Sequence, residues 1–165
     1  DYSHDEAFLD KNAYITAECA ISIVLSRLEK VLSETSTAII GYGRIGKHLC
    51  KLLKAFGASV TVFARREESR IEAIEKGYRA YPISSLTKNY YDVVFNTAPS
   101  PIISREESDK ISRESIVLDL ASLPGGFEDS AFPERALALP GKMKPVSAGR
   151  AIFEFVYDYV SKERK

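Results

Sequence analysis

The stretch Thr37-Ala38-Ile39-Ile40-Gly41-Tyr42-Gly43-Arg44-Ile45-Gly46 decides how the rest of the chain reads. Thr37 to Ile40 is a short apolar run of the length of a buried strand, and it stops at a glycine. From Arg44 onward Ile45, Leu49, Leu52, Leu53 and Phe56 recur at helical period, and Gly57 stands where a helix would end. Gly41, Gly43 and Gly46 thus separate a strand from a helix. In that setting the first glycine makes a tight turn, the second lets a ligand approach the backbone, and the third lets the helix pack closely on the strand. Ser59 to Ala64 (Ser-Val-Thr-Val-Phe-Ala) reads as a second strand, parallel to the first because a helical crossover joins them. The unit closes within about thirty residues, as a mononucleotide-binding half should.

The alternation continues in both directions. Upstream, apolar residues between Ile15 and Leu32 recur at three- and four-residue steps, which predicts a long amphipathic helix with Thr16 as its N-cap and Glu18 in its first turn. Downstream, the pattern predicts a helix near Glu67 to Lys76, a strand at Arg79 to Tyr81 and a short helix around Ser85. Strands at Tyr91 to Asn96 and Ser115 to Ala121, a weaker one at Arg135 to Leu139, and a closing helix from Ala148 to Lys162 follow. The Pro- and Gly-rich segment Leu123 to Pro133 reads as a loop. The expected architecture is a doubly wound parallel α/β sheet, the Rossmann fold, with a long leading helix and a C-terminal helix.

The chain has 165 residues, 45% hydrophobic and 28% charged, which suits one compact globular domain over residues 1–165. It opens at Asp1 rather than Met, so processing or a longer parent chain is expected. Lys plus Arg and Asp plus Glu number 23 each, so no global field favours nucleic acid or an anionic membrane. No apolar run approaches the roughly 20 residues of a membrane span, and no signal segment opens the chain, so a reducing cytoplasm is the expected compartment. Cys19 and Cys50 lie in helical patterns without metal-ligand or disulfide spacing and read as structural thiols. His4 and His48 are the only histidines, and neither is placed for proton transfer at the strand ends. No zincin helix, phosphate-loop lysine or nucleophile-elbow serine is present.

A strand, a glycine turn and a helix point to a dinucleotide whose phosphates sit on the free N–H groups of the helix start. Where an NAD-preferring site places a carboxylate for the ribose 2′-OH, roughly 20 residues past the glycines, this chain has Ala64-Arg65-Arg66. Two guanidinium groups suit a 2′-phosphate, so NADP is the expected cofactor with NAD as the alternative; a solvated helix start is the plainer reading of the same arginines. Asn96-Thr97-Ala98-Pro99 and Asp119-Leu120-Ala121-Ser122 leave the fourth and fifth strands at the end where such sheets bind ligands. They read either as cofactor-facing or as ordinary strand-terminal turns. The expected cofactor residues are Gly41, Tyr42, Gly43, Arg44, Ile45 and Gly46, with Ala64, Arg65, Arg66, Asn96, Thr97, Ala98, Pro99, Asp119, Ala121 and Ser122. No residue stands out as catalytic or as a metal ligand.

Asn12-Ala13-Tyr14-Ile15-Thr16-Ala17-Glu18 ahead of the glycine turn, Val60 to Arg65, Asn96-Thr97, Asp119-Leu120-Ala121-Ser122-Leu123-Pro124-Gly125-Gly126, and Leu139-Pro140-Gly141-Lys142 with Ala148-Gly149 carry a more particular likeness. Over residues 12–155 the chain resembles the C-terminal, nucleotide-binding portion of the dipicolinate synthase family's A subunit, without that family's separate N-terminal domain. The resemblance implies an NAD(P)-linked oxidoreductase acting on a cyclic dicarboxylate of the lysine pathway. It also implies an oligomer and a second, flavoprotein-like subunit for making the dicarboxylate stored in bacterial spores. Lys142 and Lys144 are basic groups that would meet a dicarboxylate or end a solvated loop. Two other readings are a cofactor domain of a 2-hydroxyacid dehydrogenase, whose late catalytic histidine has no counterpart here, and a nucleotide-sensing or docking module without turnover.

Overall fold

The computed structural model describes residues 5–129 and 132–163. Six parallel strands, β1 (Ser36–Ile40), β2 (Ser59–Phe63), β3 (Arg79–Tyr81), β4 (Val93–Asn96), β5 (Ile116–Asp119) and β6 (Glu134–Arg135), form one sheet in the order β3-β2-β1-β4-β5-β6. The order reverses between β1 and β4, so the connections on either side run away from each other and leave a crevice at the carboxyl ends of those two strands. The helices are α1 (Glu6–Leu25), α2 (Arg44–Ala55), α3 (Glu67–Glu75), α4 (Arg105–Lys110), α5 (Leu139–Met143) and α6 (Pro145–Glu163), with 3-10 turns at Leu32–Glu34 and Ile83–Lys88.

Burial on both faces explains why these strands are apolar runs rather than alternating ones. Ile39, Val60, Val62, Val93, Phe95 and Leu118 point to one side, where α1, α2 and α3 cover them through residues such as Val24, Leu49, Leu53 and Ala73. Ala38, Ile40, Phe63, Val94 and Val117 point to the other, against Leu86, Tyr91, Ile103, Ile111 and Phe127. The alternation of neighbouring residues between the two clusters is the period of two that a strand imposes.

Three expectations from sequence need correction. The leading helix begins ten residues before Thr16, with Asp5 as N-cap accepting from the Phe8 backbone N–H at 2.8 Å. Thr16 lies inside it and donates its hydroxyl to the Asn12 carbonyl. The helix also stops at Leu25 rather than Leu32. The reason is that α1 packs through small residues, Ala13, Ala17, Cys19 and Ala20, which carry a weaker periodic signal than the leucines and valines that drew the boundary. The sixth strand is only Glu134–Arg135, because Ala138 turns left-handed (φ 56°) and Leu139 opens α5 instead of ending a strand. Within Leu123 to Pro133, Phe127 makes a parallel bridge to Ile103. Helix α4 was not marked in the sequence reading, although Ser104 and Glu107 form a reciprocal capping box at its start. His4 lies outside the described residues.

Cys19 and Cys50 are buried and unpaired in disulfides, and burial pushes the Cys50 thiol up to about 12. Among the described residues no cluster is able to hold a metal ion, and no helix is long and apolar enough to cross a membrane.

Asp92 ties the start of β4 to the start of β1, accepting from the Ser36 backbone at 2.7 Å and hydroxyl at 2.9 Å while pairing with Lys30 at 2.7 Å. Burial alone would raise its carboxyl, but the hydrogen bonds from Lys30 and Ser36 outweigh that and hold it below the ordinary carboxylate range. A folded value below the unfolded one stabilises at neutral pH, and the contribution is lost as pH falls through the depressed value. Asp92→Asn is therefore expected to cost roughly 1 to 3 kcal/mol at pH 7. Urea denaturation of the variant and the parent protein should converge as the pH drops below about 4.

Candidate dinucleotide site

The glycine turn works through contacts that side chains would prevent. Gly41 is left-handed (φ 92°), and a Cβ there would stand 2.6 Å from the Thr97 hydroxyl oxygen. Its N–H donates to the Phe63 carbonyl at 2.8 Å, while Thr97 sends both its N–H (2.8 Å) and its hydroxyl (3.0 Å) to the Ile40 carbonyl. The ends of β1, β2 and β4 are thereby stitched together. A Cβ on Gly46 would meet the Gly41 carbonyl oxygen and lie 3.4 Å from Thr97 Oγ1, so α2 rests directly on the strand end. Gly43 is different: its backbone is extended, and nothing lies within 4 Å of where its Cβ would be.

Gly43 is also the N-cap of α2, no side chain caps it, and the first turn holds no acidic residue. The first N–H groups of α2 are left to an outside acceptor, and the helix dipole favours an anionic one. Tyr42 turns its ring inward against Tyr78, where burial raises its hydroxyl above the ordinary range.

Two clefts flank this helix start. One, of about 320 Å³, lies on the β2 side and brings together Gly41, Tyr42, Gly43, Ala64, Arg65, Arg66, Thr97, Ala98 and Pro99. Sequence reasoning missed Ser69, Ile83, Ser100 and Ile102, which complete its lining. Arg65 and Arg66 are exposed at its rim, and no carboxylate among the described residues pairs with them. The guanidinium of Arg70 donates to the Ala64 and Arg65 carbonyls at 2.9 and 2.8 Å and so sets the course of that rim. Its position shortly beyond the arginine pair, on α3, was the available signal.

The second cleft, of about 360 Å³, lies on the β5 side and holds Ile45 and Ser122, with Asn12 and Thr16 from α1 and the segment Ala136 to Gly141. The remaining candidates line neither. Arg44 turns to α1, its Nη2 lying 2.6 Å from both carboxylate oxygens of Glu6. Asn96, Asp119 and Ala121 are buried behind the clefts, with the Asn96 amide donating to the Asp119 carboxylate at 2.7 Å. His48 packs edge-on against Tyr14 and bonds Asp10 at 2.8 Å, joining α2 to α1 rather than facing either cleft. A further cleft of about 270 Å³, near Tyr91 and Ser115, opens at the opposite ends of β4 and β5 and is remote from the glycine turn.

Sheet order, glycine turn and bare helix start together define a Rossmann unit of dehydrogenase type. Residues 23–121 match the NAD-binding domain of the D-isomer specific 2-hydroxyacid dehydrogenases, and the chain belongs to that family. The likeness read from the sequence is borne out. Over 150 residues the chain is 28% identical to the dipicolinate synthase A subunit of Bacillus subtilis, a match covering 86% of this chain and 50% of that protein. The crystal structure of the Bacillus subtilis dipicolinate synthase A chain superposes with a TM-score of 0.89 at 25% identity, covering 98% of this chain and 56% of that one. The A subunit of dipicolinate synthase from Bacillus halodurans gives 0.83 at 26% identity, over 92% and 55% of the two chains. The chain thus spans about half the length of the relatives it matches.

The two glycines that bracket the helix start separate by their folding roles. Gly46→Ala gains up to about 1 kcal/mol of helix propensity but places a methyl group on the Gly41 carbonyl. The steric cost of roughly 1 to 3 kcal/mol should win and lower the melting temperature. Gly43→Ser, into open space at an N-cap, should leave the melting temperature unchanged or raise it. Thermal denaturation followed by circular dichroism checks both.

Proposed function

We propose that this chain is the cofactor-binding half of an NADP-preferring oxidoreductase of the dipicolinate synthase type, acting on a cyclic dicarboxylate. The observation that carries the reading is the uncapped start of α2 at Gly43, standing between two clefts. The glycine cradle fits a pyrophosphate, with the phosphates on the N–H groups of Arg44 and Ile45. The β2-side cleft would hold the adenosine, with Arg65 and Arg66 toward a 2′-phosphate. The β5-side cleft, lined by Ile45 and Ser122, would hold the nicotinamide and the substrate beside it. When bound, the cofactor supplies hydride transfer. The protein's part would be to orient the ring in a largely apolar cleft and to meet carboxylates with cations.

Lys142 is exposed at that end, and Lys144 stands 3.5 Å from Glu18; both are candidates for the substrate's charge. Arg44 is held by Glu6 and can exchange that carboxylate for a phosphate. Exposed Val146, Phe153, Val156 and Tyr157 on α6 support association with a further domain, a second copy or a flavoprotein-like subunit. A cytoplasmic setting belongs to the same reading, in which Cys19 and Cys50 serve as buried structural thiols.

Cofactor choice follows from charge at the rim. A charge-assisted contact contributes roughly 1.5 to 3 kcal/mol, so NADP should bind about tenfold to a hundredfold more tightly than NAD, less so in high salt. Calorimetry with both cofactors should show Arg65→Ala erasing most of that gap by weakening NADP alone. Gly43→Val should abolish binding of both by blocking the backbone, while the domain stays folded. Equal affinity of the parent protein for NAD and NADP refutes the preference, and unchanged binding by Gly43→Val refutes the site.

Turnover tests the rest. The isolated chain should bind cofactor yet form little dipicolinate until it is given the remaining half of the enzyme together with a complementary subunit; full activity from the chain alone contradicts this.

A further inference from the structure

The motif Asp119-Leu120-Ala121-Ser122-Leu123-Pro124-Gly125-Gly126 lines the clefts only through Leu120 and Ser122, yet it contains a carboxylate that is 1% exposed. A buried carboxylate is costly unless its oxygens are fully engaged. Asp119 meets that condition through both ends of its carboxyl group. Oδ1 accepts from the Asn96 amide at 2.7 Å and the Ala121 N–H at 3.1 Å. Oδ2 accepts from the Gly126 N–H at 3.2 Å and faces the Arg135 guanidinium at 3.8 Å.

Each partner holds main chain beside a cleft. Asn96 takes the Ala98 N–H on its amide oxygen at 3.1 Å and gives its amide to the Ala98 carbonyl at 3.0 Å, which fixes the turn Thr97-Ala98-Pro99 on the β2 side. Arg135 donates to the Pro124 carbonyl at 2.6 Å, which holds the loop that follows Ser122 of the β5-side cleft, while the Gly126 carbonyl receives the N–H groups of Ile102, at the β2-side cleft, and of Ile103. The two glycines serve this network. A Cβ on Gly126 would fall within the Asn96 amide, and one on left-handed Gly125 would fall on Asp119 and Arg135. Gly125 and Gly126 thus let the main chain pass over a buried polar cluster.

We propose that Asp119 is a positioning residue, a two-ended clamp that sets the turn after β4 and the loop after β5 beside the two clefts without touching the ligand. This rests on the dinucleotide reading of the site. The two ends of the clamp are chemically separable. In Asp119→Asn the amide oxygen can keep Asn96 and Ala121, while the new NH₂ faces the Gly126 N–H and the Arg135 guanidinium, donor against donor. The turn Thr97-Ala98-Pro99 should stay in place, and the loop from Pro124 to Gly126, next to Ser122 of the β5-side cleft, should be released.

The test uses 2′,5′-ADP, which reaches only the β2-side cleft, beside NADPH, which reaches both, with NADPH fluorescence reporting the ring's surroundings. Asp119→Asn should bind 2′,5′-ADP within about twofold of the parent protein. It should bind NADPH about tenfold more weakly, the loss of one charge-assisted contact, and lose the fluorescence change on binding. Arg135→Gln, which removes the hold on Pro124 from a partly exposed position, should move NADPH and not 2′,5′-ADP in the same direction, and it decides the matter if Asp119→Asn does not fold. Equal weakening of both ligands, or of neither, overturns the clamp. A parent protein that binds neither ligand overturns the dinucleotide site and the clamp with it.

Discussion

The Cα of Gly46 lies against the carbonyl oxygen of Gly41, a contact that leaves no room for a side chain, and the rest of the site is arranged around it. The first turn of α2 is thereby pressed onto the end of β1, and Thr97 locks the same strand end to β4 from the other side. Because the approach is backbone on backbone, it fixes the direction of α2 as well as its distance. The uncapped N–H groups are aimed at the crevice where the sheet order reverses. A helix start displaced by one side chain would still form but would point its dipole elsewhere.

Charge around that start is divided by burial. Arg65 and Arg66 stay exposed at the rim with no carboxylate partner among the described residues, Arg44 is tied to α1 by Glu6, and Asp119 is enclosed behind the clefts with both oxygens engaged. The exposed groups are screened by solvent and salt, so they suit selection among ligands more than fold stability. The enclosed carboxylate is the opposite case: it is intolerant of change and holds shape. The family motif after β5 becomes intelligible in those terms, since its glycines follow from the polar cluster beneath them.

Much of the fold was legible because local and global preferences agree. β1, β2, β3 and α2 fall within one or two residues of where apolar runs, period and glycines put them. The errors arose where local signals carry less contrast. α1 buries alanines and a cysteine instead of large side chains, β6 is two residues long, and Leu139 belongs to a helix because Ala138 turns left-handed just before it. In the site, Gly41, Gly43, Ala64 and Thr97 were found by motif and strand end, and they line one cleft. Asn96 and Asp119 were found by the same rule, but their side chains turn to each other.

Read alone, the chain determined that a parallel sheet is built, where its glycine turn lies and which charges flank it, because these depend on residue type and on spacing within some thirty positions. Only the tertiary structure decided which side chains face the crevice. That question turns on contacts across the chain, such as Asn96 with Asp119, Arg44 with Glu6 and Arg135 with Pro124, formed by residues 23, 38 and 11 positions apart. A strand end brings several residues to one place, but the hydrogen bonds they find there decide which remain for a ligand.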